Sequence, residues 1–153
     1  METSISAIDS ETVIKIWSKV APLLEKVTIK DPIITLEELF KRLCIDGTHL
    51  LWIVWEKNNT DNIIAVMVTN ILGTKESGGP VLLMYCLGGI NKEEWLEHLK
   101  FIESYALDNG CNEMRVIDGR KGWEKDFKKL GLNTIRYTYS KKIGLEKNEN
   151  KLK

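Results

Sequence analysis

Apolar residues recur at helical spacing from Val13 onward: Val13, Ile16, Trp17, Val20, Leu24 and Val27. That spacing puts them on one face of a 3.6-residue repeat and predicts an amphipathic helix with Trp17 in its core face. Asp9 or Ser10 supplies the cap, because a side-chain oxygen there can accept from an orphan backbone N–H. Pro22 falls inside the pattern and removes a donor, so a kinked or divided helix is expected. Residues 4–8 alternate weakly and predict a short edge strand before it. A connection with Asp31-Pro32 follows. Thr35 and Glu38 then stand at capping-box spacing ahead of Leu36, Leu39, Phe40, Leu43 and Cys44, a second helix ended by Asp46-Gly47.

The period changes at residues 49–57. Leu50, Trp52 and Val54 point one way, and Leu51, Ile53 and Trp55 the other. Both faces are apolar, as in a sheet covered on both sides. Residues 58–62 form an Asn-rich turn into a strand over 63–72, giving an antiparallel hairpin. A glycine-bearing loop over 73–79 leads through Pro80 to a strand over 81–87. Gly88 to Asn91 read as a turn, with Asn91 capping a long helix from Lys92. Trp95, Leu99, Ile102, Ala106 and Leu107 give its buried face, widened by Leu96 and Tyr105. Glu93 and Glu94 complement the helix dipole in its first turn, and Asn109-Gly110 stops it. A strand over 113–118, a turn over 118–122, a short helix over 123–130 ended by Gly131, and a last strand over 132–143 complete the order. In that last strand Ile135, Tyr137 and Tyr139 share a face. Strand, glycine turn, helix and strand over 81–118 make a βαβ unit with a parallel pair. The fold class is α/β: a mixed, twisted sheet of about six strands flanked by helices. It forms one domain over 1–143, followed by a charged, unstructured tail over 144–153.

Composition narrows the function classes. The 22 basic and 22 acidic residues cancel, which argues against a dedicated nucleic-acid binder. The three cysteines, Cys44, Cys86 and Cys111, have no CxxC spacing, so neither a disulfide framework nor a zinc site is expected. His49 and His98 are far apart in sequence, and His98 falls on the polar side of the long helix. No apolar run approaches a membrane span of about 20 residues. The N-terminus lacks the pattern of a signal peptide. A cytoplasmic location is expected.

The order of elements resembles the GCN5-related N-acetyltransferase (GNAT) fold over about residues 4–143. Phe127-Lys128-Lys129-Leu130-Gly131-Leu132 is similar to the Tyr-x-x-x-Gly-Phe that closes the last helix in that family. Asp118-Gly119-Arg120-Lys121-Gly122-Trp123 resembles a group of small phage-encoded GNAT-like proteins. The resemblance implies acyl transfer from acetyl-CoA or another acyl-CoA to an amine, with no covalent enzyme intermediate. It implies that the strand at Met84, Cys86 and Leu87 holds the pantetheine and polarises the thioester. It also implies that the turn of Gly88, Gly89 and Asn91 takes the pyrophosphate.

The chain departs from the family in three places. The turn has no basic residue before Lys92. Phe127 stands where the family has a proton-giving tyrosine. Trp123 stands near a position usually held by a small residue. A second reading therefore stays open: a non-catalytic virion-assembly or host-interaction protein that binds a protein partner through the surface near Arg120 and Trp123.

Several residues invite two readings. Gly88-Gly89 is an anion cradle or simply a turn needing unusual backbone angles. Tyr85, Tyr137 and Tyr139 remain as proton donors or as packing groups. Glu56 and Glu76 are candidate bases or surface charges. Cys86 is a nucleophile or a buried thiol. Arg120 and Lys121 bind an anion or sit in a solvated turn.

Overall fold

The computed structural model describes residues 1–29, 34–117, 121–136 and 139–144, with Cys86 and Lys121 described by their backbone alone. Five strands are described: β1 (Thr3–Ile8), β2 (Leu50–Glu56), β3 (Asn59–Leu72), β4 (Val81–Gly89) and β5 (Glu113–Val116). They lie in the order β1-β2-β3-β4-β5. The first three pairings are antiparallel and β4–β5 is parallel. The helices are α1 (Ser10–Thr28), α2 (Leu36–Phe40), α3 (Leu99–Asp108) and α4 (Glu124–Lys129). This is the mixed α/β architecture expected, with β1 as the edge strand and β2–β3 as the hairpin.

The two apolar faces of β2 are buried against different helices. Leu51 and Ile53, with Val66 and Val68 of β3, pack against Val13, Val20 and Leu24 of α1 and Leu39 of α2. Trp52 points to the opposite face, where its ring meets Phe101 and Tyr105 of α3 edge-on at 6.1 and 5.1 Å. The indole N–H of Trp52 donates to Thr69 Oγ1 at 2.9 Å, so the buried nitrogen keeps a partner. Trp17 is half-buried against the α1/α2 core and packs edge-on to Phe40 at 5.0 Å.

Asp9 caps α1, its carboxylate accepting from the Thr12 N–H at 3.2 Å. Pro22 lies inside α1 without dividing it. Thr35 caps α2 by accepting from the Glu38 N–H at 3.1 Å. The Glu38 carboxylate accepts from Arg42 Nε at 3.2 Å. After Phe40 the second helix continues as a π-turn, Lys41–Ile45. The Arg42 carbonyl there accepts from the Thr48 N–H at 3.1 Å, which sets the entry to β2.

The long helix expected from Lys92 begins as two 3₁₀ turns, Lys92–Glu94 and Leu96–His98; the α-helical part starts at Leu99. The break falls at Trp95, whose φ of −123° leaves the helical region while its side chain is 1% exposed. Asn91 precedes the first turn at φ 49° with no side-chain capping bond, in place of the cap expected of it. His98, expected to face solvent, is half-buried with Nε2 2.8 Å from Thr3 Oγ1.

The chain divides into two compact units, Met1–Lys121 and Gly122–Lys153. In the second, α4 ends at Gly131, φ 85°, and the Leu132 N–H returns to the Phe127 carbonyl at 2.8 Å. The strand expected over 132–143 does not form in its described residues, 132–136 and 139–143. An alternating pattern becomes a strand only where a neighbour pairs with its edge. No strand is described within this unit, and Ile135 and Tyr139 are 60% and 90% exposed.

Candidate functional site

β4 pairs with β3 along its whole length, from Val81 opposite Leu72 to Gly89 opposite Ala65. Its pairing with β5 is shorter. The parallel register ends at Met84 opposite Val116, and the Ile117 N–H closes it on the Met84 carbonyl at 2.8 Å. Tyr85, Cys86, Leu87, Gly88 and Gly89 thus continue the strand with β3 on one side and no described strand on the other. The register slips within this stretch. Tyr85 stands opposite Val68 and Gly88 opposite Val66, so Cys86 and Leu87 together face Met67. That is a bulge, which bends a strand and re-aims its backbone groups.

The residues expected to hold a cofactor lie along this run. Met84 is fully buried, Leu87 is 7% exposed, and Cys86 contributes its backbone to the bulge. Gly88 and Gly89 belong to the strand and not to the turn, and neither has a positive φ. Their lack of a side chain serves close approach instead. A Cβ on Gly88 would stand 2.9 Å from Val27 Cγ2 of α1. One on Gly89 would stand 2.7 Å from Ala65 Cβ and 2.9 Å from the Ile64 carbonyl oxygen. The turn after β4 contracts to Ile90 and Asn91, with the Ile90 N–H donating to the Ile64 carbonyl at 3.0 Å.

A polar cluster joins β4 on the α1/α2 face. The Tyr85 hydroxyl donates to Asn70 Oδ1 of β3 at 2.7 Å and is hydrogen-bonded on its other side to His49 Nε2. The two rings stand edge-on at 5.4 Å. His49 Nδ1 is 2.7 Å from Thr48 Oγ1. With the Tyr85 proton on Asn70, consistent donors along the chain are Thr48 O–H to Nδ1 and Nε2–H to Tyr85, a neutral imidazole. Burial lowers the His49 pKa, and the Arg42 charge lowers it further against the opposing pull of Asp46. Tyr85 was legible in the sequence as a hydroxyl on the central strand; His49 and Asn70 were not read as its partners. The signal was in the hairpin register: with Leu50 opposite Thr69, one further step back brings His49 level with Asn70.

The other candidates are dispersed. Glu56 accepts from Asn62 Nδ2 at 3.0 Å at the β2–β3 turn, and Glu76 is exposed in the single 3₁₀ turn Lys75–Ser77. Tyr139 is exposed; Tyr137 and Arg120 lie outside the described residues. In the second unit Trp123 is half-buried, with its ring edge-on to Phe127 at 5.8 Å. An apolar groove of about 340 Å³ is lined by Trp17, Leu36, Glu37 and Phe40. Among the described residues no group of His, Cys, Asp and Glu could hold a metal ion. None of the described helices is long and apolar enough to cross a membrane.

No protein-family model matches the sequence, and no curated protein matches it. Solved structures match closely in shape. Glucosamine-6-phosphate N-acetyltransferase from Arabidopsis thaliana superposes with a TM-score of 0.65 at 15% identity, over 94% of this chain and 99% of that one. A predicted acetyltransferase from Clostridium acetobutylicum, solved with acetyl-CoA, gives 0.65 at 13% identity, over 94% and 97%. An aminoglycoside acetyltransferase from an uncultured soil sample, in complex with sisomicin, gives 0.62 at 14% identity, over 92% and 97%. At such identities the likeness shows the fold, which is the GNAT fold.

Proposed function

We propose that this chain binds an acyl-CoA along the edge of β4 that outruns β5 and transfers its acyl group to an amine. The observation that carries this reading is the end of β4–β5 pairing at Met84 and Val116, followed at once by the bulge at Cys86 and Leu87. A strand edge offers alternating N–H and C=O groups. Pantetheine carries two amides on an extended chain, so it suits such an edge as an added strand does. The residues present fit that arm. When bound, acyl-CoA supplies an activated thioester. Backbone N–H groups of the bulge would then stand by the carbonyl where negative charge develops. Ile90, Asn91 and Lys92 follow directly and would take the diphosphate end, with one lysine as the only cation among them.

A partner-binding role through Arg120 and Trp123 has less support. Trp123 is half-buried, with its ring in contact with Phe127, and Arg120 lies outside the described residues. Phe127 has no proton to give, and the transfer needs another group for that task.

The test is a titration of isotope-labelled protein with acetyl-CoA, and separately with coenzyme A, read by backbone amide shifts. Displacements centred on residues 85–91 and Ile117, with saturation in the micromolar range, are the expected result. Unmoved amides at millimolar ligand would sink the reading. Replacing Gly89 is no substitute for this test, since any side chain there collides with Ala65 and Ile64 before a ligand is considered.

A further inference from the structure

We infer that Tyr85, backed by His49, is the group that moves the proton in the transfer at β4. The inference rests on the acyl-transfer reading and adds to it the residues that do the chemistry.

Tyr85 follows Met84, the last residue of β4 to pair with β5, and precedes the bulge. Its position is therefore the junction between the paired and unpaired parts of the strand. A tyrosine hydroxyl can both donate and accept. This one is clasped by two, from β3 and from the entry to β2. One of the two is an imidazole. The π-turn Lys41–Ile45 reinforces that clasp, because its Arg42 carbonyl accepts from the backbone N–H groups of both Thr48 and His49. π-turns are frequent at functional sites.

The charged groups acting on His49 are Arg42 and Asp46. Arg42 is itself paired with Glu38, and Asp46 lies 3.9 Å from Lys41. Neither carboxylate is hydrogen-bonded to the imidazole, and burial together with the Arg42 charge outweighs the pull of Asp46 toward the protonated ring. Near neutral pH it is a base.

The step balances without any further reagent. The amine lone pair attacks the thioester carbon and the C–N bond forms, leaving an oxyanion. The half-buried imidazole first exchanges tautomers with water: Nε2 gives its hydrogen to a water molecule, Nδ1 takes one from water and donates it to Thr48 Oγ1, and the Tyr85 hydroxyl turns from Asn70 to the freed Nε2. The ammonium proton passes to Tyr85 Oη as the tyrosine proton passes to His49 Nε2. The C–S bond breaks with its electron pair on sulfur. The proton returns from the imidazolium through Tyr85 to the thiolate. Amide and thiol are released and the protein is unchanged.

The experiment pairs ligand binding with histidine NMR and kinetics, on the wild-type full chain and on Tyr85→Phe and His49→Gln. Coenzyme A is the probe in the first two, and acetyl-CoA with a panel of primary amines in the third. Expected is undiminished coenzyme A affinity in both variants, by calorimetry. Coenzyme A should move the His49 ring nitrogens in the wild type but not in Tyr85→Phe. The turnover number should fall by about 10²-fold or more in each variant at constant KM for acetyl-CoA. The acidic limb of the rate profile should match the His49 midpoint seen by NMR. If coenzyme A binds while His49 stays silent, or if Tyr85→Phe turns over within twofold of wild type, the relay is wrong and the acyl-CoA reading stands. If the wild type binds no coenzyme A, both fall. Thermal melts of the variants separate a lost proton path from a lost fold.

Discussion

The Ile117 amide meets the Met84 carbonyl at 2.8 Å, and among the described residues this bond is the last between β4 and the segment of β5. Everything proposed for the chain lies just beyond it. Beyond Met84, β4 keeps β3 on one side and has no described strand on the other, the side proposed for the ligand.

Replacing Ile117 with proline deletes that donor and leaves the Met84 carbonyl unpaired. A lost backbone hydrogen bond costs about 0.5–1.5 kcal/mol. Denaturant unfolding should show a loss of that order, with an unchanged slope.

Gly89→Ala places a Cβ within 2.7 Å of Ala65 Cβ and 2.9 Å of a backbone oxygen, neither of which can swing aside. Overpacking of this kind costs roughly 1–3 kcal/mol. Gly122→Ala is the control: a Cβ there meets nothing within 4 Å, and its stability should stay within about 0.5 kcal/mol of wild type. Equal melting points for the two variants would contradict the crowded packing at β4.

Thr69→Val removes the acceptor of the buried Trp52 N–H while keeping the shape of the side chain. An indole nitrogen left without a partner costs about 1–3 kcal/mol. Trp52→Phe, Thr69→Val together should recover part of that loss, because both polar ends are then gone.

His49 and His98 both have pKa values lowered in the folded chain, in each case mainly by burial. The unfolded chain therefore takes up protons first as pH falls. Stability is full above the ordinary histidine range near 6.5 and declines as pH drops through it toward the folded values. Urea midpoints measured from pH 7.5 to 5 should fall, and less so in His98→Gln, which also removes the Thr3 contact. A flat profile would mean that neither ring is buried as described.

The sheet was legible because its signals are local. Two-residue alternation across Leu50–Trp55 fixes which side chains meet α1 and which meet α3; the Asn-rich stretch marked the hairpin, but its turn tightens to Lys57-Asn58 and β3 already begins at Asn59, not at 63. Trp95 misled because its apolar spacing fits a continuous helix, whereas its backbone leaves the helical region and the α-helix starts only at Leu99. Gly88 and Gly89 suggested special backbone angles. They supply room for Val27 and Ala65, contacts that become visible only when α1 and β3 are laid against β4. The His49–Tyr85–Asn70 cluster draws on β3, β4 and the entry to β2 across 36 positions of sequence, and depends on the register of both pairings at once. The pattern over 132–143 has the period of a strand, but period alone provides no partner.

Thr3 holds a different kind of link. Its hydroxyl donates to the Glu94 carbonyl at 3.0 Å, across 91 positions of sequence, and meets His98 Nε2 at 2.8 Å. The beginning of the chain is thereby stapled to the turns that follow β4. An affinity tag fused two residues upstream of Thr3 is, in space, a neighbour of those turns. Tag position becomes an experimental variable for every ligand measurement on this protein.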